Sequence, residues 1–266
     1  MKYFKIAVIV VFIVGIGLYA GALAKEKAAQ DPNRPVITSQ KSEIEIPVDY
    51  TKEQLKEGLT AWDEEDGDLT DKILLGDLSQ FIEKGVCNVS YIVFDSANQA
   101  ATLTRKIRFT GYESPQFTLS SPLIFESGVA VDILGKIGAS DVLDGNISSM
   151  VKQTASDVVY QAPGAYTIHV EVTNSFGDVT NAALPVHIVD SSIQLLSNNA
   201  PLIYLKKGTA FDVNTCKNQV TDAQGKAVNA AKIQVSSNVN INEEGVYEVQ
   251  LTSEAGMTWT TVIVRE

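Results

Sequence analysis

Three short sequences recur along this chain at nearly equal intervals. In each, a glycine and a small residue lead into a run of alternating apolar residues, and the three glycines are Gly85, Gly164 and Gly245. The intervals are 79 and 81 residues, which is too long for a solenoid repeat and typical of a small independent domain. The sequence therefore predicts an array of three related modules.

The residues after each of these glycines predict a half-buried β-strand. Apolar residues occupy every second position, and polar residues lie between them. A period of two is that of a strand with one buried face. The predicted inward face carries Cys87, Val89, Tyr91 and Val93 in the first repeat, Tyr166, Ile168, Val170 and Val172 in the second, and Tyr247, Val249 and Leu251 in the third.

A turn follows each of these strands, and a strand rich in Thr and Val follows each turn. The turns are residues 95–99, 174–178 and 254–256. The C-terminal third of every module is therefore predicted to be a β-hairpin. Apart from one helical turn predicted over residues 51–58, short strands are favoured, which predicts an all-β fold of sandwiches with about seven strands each.

A second landmark precedes each hairpin by about 20 residues. It is Asp-Gly-Asp at residues 66–68, Asp-Gly-Asn at 144–146 and Gln-Gly-Lys at 224–226. Glycine tolerates positive φ, and Asp or Asn bonds its own backbone, so this pattern predicts a tight turn.

At these residues the chain resembles the bacterial immunoglobulin-like domain family first associated with a pesticidal crystal protein. In that family a D-G-D-L-T turn precedes a Gly-x-Tyr strand and a D-x-x-G-N hairpin. Residues 62–71 and 95–99 carry the pattern in module one, residues 144–148 and 163–166 carry it in module two, and module three keeps the Gly-x-Tyr strand with a worn turn. The resemblance implies tandem immunoglobulin-like β-sandwiches that serve as spacer or binding modules at a surface, and it implies no shared enzymatic activity.

One apolar segment precedes the modules. Residues 6–24 carry no charge over 19 positions, and Lys2 and Lys5 lie before them. That length matches a membrane-spanning helix, which predicts an N-terminal transmembrane or signal helix. Ala22-Leu23-Ala24 also fits a signal-peptidase site, so cleavage after Ala24 is the alternative to retention as an anchor. Both alternatives place the modules outside the cytoplasm.

The predicted organisation has five parts, and a Gly- and Pro-containing linker at 111–115 separates the first two modules. The parts are a membrane anchor or signal segment at 1–24, a spacer at 25–34, and immunoglobulin-like modules at 35–111, 115–189 and 190–266.

The charge of the chain limits its partners. The formal net charge is -11, and without Lys2 and Lys5 the remainder has 19 basic and 32 acidic residues, a charge of -13. Nucleic acids and anionic lipid surfaces are bound by clustered Lys and Arg, so we expect no nucleic-acid partner. Membrane contact is expected through residues 6–24 alone.

The acidic turn at residues 63–71 is the densest charge cluster. Several oxygen ligands on a short loop suit Ca²⁺, but the spacing does not fit an EF-hand, and a solvated turn stabilised by Asx bonding is the simpler interpretation. We therefore assign no metal site. Of the two cysteines, Cys87 takes the inward position of a tyrosine in the other modules and is predicted to be a buried free thiol, whereas the environment of Cys216 is left open and includes exposure.

Nucleophilic catalysis needs a base beside a serine or cysteine. The chain has only His169 and His187, and neither has a partner at catalytic or metal-ligand spacing. The sequence predicts a non-enzymatic protein without catalytic, cofactor-binding or metal-binding residues.

The predicted function is that of an extracytoplasmic surface protein whose immunoglobulin-like modules act as a stalk, adhesin-like or ligand-binding unit for an unknown protein or glycan. Module three, as the most divergent, is where ligand contact is expected. Two alternatives remain open. The first is an accessory subunit of a cell-envelope assembly, in which Gly17 and Gly21 would allow close helix packing, and the second is a secreted carbohydrate-binding protein.

Overall fold

The computed structural model of the protein describes residues 15–16, 18–19 and 34–266. Strands make up 49% of the structure and helices 11%, and the helices within residues 34–266 are all short, which confirms the predicted all-β fold. In the described part of the chain no helix is long and apolar enough to cross a membrane. The segment predicted at 6–24 and the spacer at 25–34 lie almost wholly outside the described residues.

The contacts divide the chain into two compact units. The first contains residues up to 46, 50–79 and 86–108, and the second contains 47–49, 80–85 and 109–266. Modules two and three therefore fall in the second unit. The module boundaries drawn from the sequence, at 111–115 and at 189–190, stay predictions.

Seven strands belong to module one, and they form two sheets. The smaller sheet has the order β1-β3-β4 and the larger one the order β2-β7-β6-β5. The strands are β1 (Val36–Ser39), β2 (Glu43–Pro47), β3 (Leu59–Asp63), β4 (Gly67–Asp68), β5 (Leu74–Leu78), β6 (Val86–Phe94) and β7 (Ala100–Thr110).

A short helix, α1 (Lys52–Lys56), lies between β2 and β3 where the sequence predicts a helical turn. Thr51 caps it, because its hydroxyl accepts the Gln54 amide while the Gln54 side chain accepts the Thr51 amide. This reciprocal capping box stabilises a helix too short to form alone. Leu55 anchors the helix, with only 2% of its surface exposed.

Module two also has seven strands in two sheets. The smaller sheet has the order β11-β10-β8, and the larger has the order β12-β13-β14-β9, with β9 and β14 parallel. The strands are β8 (Gln116–Leu119), β9 (Ile124–Glu126), β10 (Ile137–Asp141), β11 (Gly145–Asn146), β12 (Lys152–Ser156), β13 (Gly164–Thr173) and β14 (Val179–Val189).

Module three has six strands and a helical turn, α2 (Asn214–Lys217). Its larger sheet has the order β16-β20-β19-β18, with β16 and β20 parallel, and β15 pairs with β17. The strands are β15 (Ser197–Asn198), β16 (Leu202–Lys206), β17 (Val220–Thr221), β18 (Gln234–Ser237), β19 (Gly245–Ser253) and β20 (Gly256–Arg265).

The two sheets of module two close over one apolar core, which makes it a sandwich. Phe117 and Ile137 reach this core from the smaller sheet, and Val170 and Val186 reach it from the larger one. A second core lies in module three around Cys216, Val249, Leu251 and Val262. The inward faces predicted from the alternating pattern are confirmed, although Tyr166 and Tyr247 are only partly buried.

The glycine that opens each repeat lies against an aromatic ring. A Cβ added at Gly164 or Gly245 would lie 3.3 Å from the ring two residues later, so a larger residue would have to displace that ring by a few tenths of an ångström. Those rings belong to Tyr166 and Tyr247. At Gly85 the third residue is a cysteine, and the ring of Tyr112 takes this place, 3.3 Å from an added Cβ.

The predicted tight turns are confirmed. The glycine of each has a positive φ, where only glycine is free of strain. The angles are 73° at Gly67, 71° at Gly145 and 76° at Gly225.

Candidate functional site

A cavity of about 570 Å³ opens in module one between β2 and the end of α1. Ligand pockets in proteins have this size. Most of its lining side chains are polar, namely those of Gln40, Lys41, Glu43, Glu45, Gln54, Glu57 and Arg105.

Arg105 forms the buried wall of this cavity, with 2% of its surface exposed. Its guanidinium donates to the Glu57 carbonyl at 2.8 Å, to the Tyr91 hydroxyl at 3.0 Å and to the Leu55 carbonyl. These carbonyls end α1, where a cation is favourable. In the part of the chain that the structure describes, the Nε–H of Arg105 has no acceptor, so the wall carries a buried positive charge with one unused donor.

The acidic turn at residues 63–71 folds around a buried carboxylate. Asp63 is 3% exposed, and its Oδ1 accepts the amides of Glu65 and Asp66, both at 2.9 Å. Asp66 reaches across to the hairpin turn, where its Oδ2 accepts the Ser96 amide at 2.6 Å. The bond from this amide lowers the pKa of Asp66. The turn is thus stabilised by Asx bonding, as the simpler interpretation predicts.

Module two repeats this arrangement at the equivalent residues. The Oδ1 of Asp141 accepts the amides of Leu143 and Asp144, and Oδ2 of Asp144 accepts the Ser175 amide at 2.6 Å. The second oxygen of Asp141 is also occupied, because the Asn174 side-chain amide donates to it at 3.1 Å.

Asn174 connects this turn to the predicted linker. Its side-chain amide also donates to the Tyr112 hydroxyl at 2.9 Å, and that hydroxyl donates to Asp178 Oδ2 at 2.7 Å. Burial and the Asp178 carboxylate both raise the pKa of Tyr112. The linker therefore enters module two through a fixed hydrogen-bond network.

Modules two and three meet around His187, which sequence reasoning left without a role. Its Nε2 contacts the Glu248 carboxylate, and its ring stacks on Trp259 with centroids 4.2 Å apart. His169, on the neighbouring strand, is exposed as predicted.

Two further contacts fix the same junction. The Tyr204 hydroxyl accepts the Phe117 amide at 2.7 Å, and burial raises the pKa of Tyr204 to about 12. Arg265 lies over the Tyr204 ring, 4.8 Å from its centroid, and binds Glu113 at 2.5 Å. Three apolar residues of module three, Leu202, Val246 and Ile263, pack against the core of module two.

Both cysteines are free and fully buried. The prediction of a buried thiol at Cys87 is confirmed, and burial raises its pKa to about 11. Cys216, whose environment the sequence left open, lies in α2 with no exposed surface. The short helix faces Cys216 into the core of module three, and burial raises its pKa as well.

Across the described residues, no group of three or more His, Cys, Asp or Glu side chains is arranged to hold a metal ion. The buried Oδ2 of Asp63 is nevertheless left without a hydrogen-bond partner among those residues. Sequence reasoning singled out the acidic turn but could not identify this atom, since its isolation depends on the fold.

No family model matches the chain. It is 33% identical over 148 residues to the pesticidal crystal protein Cry22Aa of Bacillus thuringiensis, a match that covers 53% of this chain and 20% of that protein. It is 25% identical over 144 residues to an uncharacterized 81.3 kDa protein of Acholeplasma phage L2, a match that covers 51% of this chain and 19% of that protein. The chain thus matches about a fifth of the length of these curated relatives.

Solved structures resemble the chain only distantly. The M60 catalytic domain with two CBM51 domains of Clostridium perfringens ZmpB is 12% identical with a TM-score of 0.27, covering 85% of this chain and 38% of that one. The protocadherin GammaB4 extracellular domain is 9% identical with a TM-score of 0.23, covering 89% and 52%. Likenesses at this level carry no argument about function.

Proposed function

We propose that this chain is a non-enzymatic surface protein, held outside the cytoplasm by residues 6–24, that presents tandem modules of the bacterial immunoglobulin-like family to a protein or glycan. The similarity to Cry22Aa over about half of the chain supports the family. The boundaries between the three modules, as the sequence predicts them, are part of this proposal.

The observation that carries the proposal is the built junction between modules two and three. His187 is held between a carboxylate and an indole of the next module, and Tyr204 binds the backbone of β8. Apolar side chains of module three extend the core of module two. A junction fixed by packing and hydrogen bonds keeps two modules in one orientation, which is what a spacer or display unit requires.

The side chains of one histidine and both cysteines, which could act in catalysis, are engaged in packing instead. His187 is occupied by Glu248 and Trp259, and the thiols of Cys87 and Cys216 lie in apolar cores where burial disfavours the reactive thiolate. These placements favour a structural role for each of these side chains.

The cavity beside Arg105 favours ligand binding as a second part of the function. A polar lining that carries carboxylates, amides and cations suits a hydroxylated ligand such as a glycan. The sequence-based expectation placed ligand contact in module three, and the cavity is a competing location in module one.

Photo-crosslinking from two regions tests the proposal against the envelope-assembly alternative. A crosslinkable residue is introduced within residues 6–24 in one variant and at an exposed position beside the cavity, such as Glu45, in another. The proposal predicts capture of external ligands from Glu45 and no specific capture of a membrane protein from residues 6–24. Capture of one envelope protein from residues 6–24 alone would favour the accessory-subunit alternative.

A further inference from the structure

The acidic turn and the hairpin turn of module one are built like their counterparts in module two. Asp95 N and Gln99 O are 3.1 Å apart, and the equivalent Asn174 N and Asp178 O are 3.0 Å apart. The bond from the Ser96 amide to Asp66 and the bond from the Ser175 amide to Asp144 both measure 2.6 Å. The two turns therefore approach each other equally closely in both modules.

The residue that opens the hairpin turn differs between the two modules, since it is Asn174 in module two and Asp95 in module one. The Oδ1 of Asn174 accepts the Asp178 amide at 2.9 Å, which directs Nδ2 to Asp141 Oδ2. The Oδ1 of Asp95 accepts the Gln99 amide at 2.7 Å in the same way. Asp95 is therefore the counterpart of Asn174 in its turn, and it carries a second carboxylate oxygen where Asn174 carries an amide nitrogen.

Asp63 lies where Asp141 lies in module two, and its Oδ2 is the buried atom that no described donor reaches. Module two thus pairs a donor, Asn174 Nδ2, with an acceptor, Asp141 Oδ2, whereas the counterparts of both residues in module one, Asp95 and Asp63, carry acceptors alone. Two carboxylate oxygens that face each other in a site with little water repel, unless a cation or a shared proton lies between them.

We propose that Asp63 and Asp95 bind a divalent cation of the Ca²⁺ type and that this ion joins the acidic turn to the hairpin turn of module one. Hard cations prefer carboxylate oxygens, and Ca²⁺ completes its coordination with main-chain carbonyls and water. Two carboxylates supply little ligand charge, and the affinity of a Ca²⁺ site depends on that charge. We therefore expect a Kd of about 10⁻⁴–10⁻³ M, as in extracellular modules.

Calcium titration of the full-length chain tests this inference. Wild type, Asp95→Asn and Asp71→Asn are titrated with CaCl₂ by calorimetry, and the Tm of each is measured in Ca²⁺ and in chelator. Asp95→Asn installs the amide that module two uses, so the variant retains the fold, and Asp71→Asn removes one charge from the same exposed turn without touching the pair.

The inference predicts that Ca²⁺ binds wild type and Asp71→Asn and raises their Tm, while Asp95→Asn weakens binding about tenfold or more. In chelator, Asp95→Asn should melt above wild type, because its amide supplies the missing donor. The reverse change, Asn174→Asp, should add a second Ca²⁺ site.

Two results would overturn the inference. One is a wild-type protein that neither binds Ca²⁺ nor changes its Tm in Ca²⁺. If its Tm then depends on pH and Asp95→Asn abolishes that dependence, Asp63 and Asp95 share a proton instead of binding a cation. The other is Ca²⁺ binding that Asp95→Asn leaves unchanged. The test is made on purified protein, so it does not depend on the proposed surface location.

Discussion

The imidazole of His187 and the indole of Trp259 stack with centroids 4.2 Å apart and planes 18° apart, although the two residues belong to different modules. The same imidazole contacts the Glu248 carboxylate, 61 residues away in the chain. His187 is thus one of the side chains that join modules two and three.

Replacing this side chain should weaken the junction. We expect His187→Ala to lower the free energy of unfolding by about 1–2 kcal/mol, through the lost stacking and the lost hydrogen bond. Urea unfolding followed by Trp259 fluorescence in a Trp62→Phe background measures the effect. His169→Ala is the control, because that histidine is exposed, and an equal loss in both variants would contradict the assignment.

The linker network gives a second prediction. Tyr112→Phe leaves Asp178 without a donor and deprives the buried Asn174 amide of an acceptor. The free energy of unfolding should fall by about 1–2 kcal/mol. Tyr166→Phe removes one exposed hydrogen bond to the Ala162 carbonyl, so it should lower the free energy of unfolding by less. Equal effects in denaturant titrations would show that the network contributes nothing specific.

We expect the buried thiol of Cys87 to make the stability of the protein depend on pH. Its pKa is raised from 9.0 to about 11 in the folded protein, so the unfolded state loses this proton first. The stabilisation that the protonated thiol contributes is complete below pH 9. Between pH 9 and pH 11 the free energy of unfolding falls by about 1.4 kcal/mol per pH unit, and this contribution is lost. Cys87→Val should flatten this part of the stability profile, and an unchanged slope in the variant would refute the prediction.

Gly256 gives a test of close packing. Its φ is +138°, and an added Cβ would lie 2.2 Å from the Gln194 carbonyl oxygen. Gly208→Ala is the matched control, since Gly208 has a φ of +79° and open space around it. We expect about 1 kcal/mol of destabilisation from the control and at least about 2 kcal/mol from Gly256→Ala. Similar thermal unfolding of the two variants would mean that backbone strain alone matters.

Local patterns allowed much of the fold to be predicted. The strand alternation, the positive-φ glycines and the helical turn before β3 depend on neighbours in sequence, and Cys87 could be placed by comparison with Tyr166 and Tyr247. These features need no knowledge of the tertiary fold.

The parts that could not be predicted depend on residues far apart in the chain. Arg105 shares the inward face of β7 with Ile107 and Phe109, but its hydrogen bonds to the end of α1 join residues about 50 positions apart in the chain. Asp63 was visible as one of several acids in a turn. Its burial and its lack of a donor depend on the fold, as does the alignment of Asp95 with Asn174 of module two.

Surface labelling of intact cells tests the central claim most directly. The two cysteines of the chain, Cys87 and Cys216, are buried, so a membrane-impermeant maleimide should not label native wild type. Gln153→Cys and Glu254→Cys place thiols at exposed positions in modules two and three. Labelling of both variants on intact cells is the predicted result, and labelling only after lysis would contradict presentation at the surface.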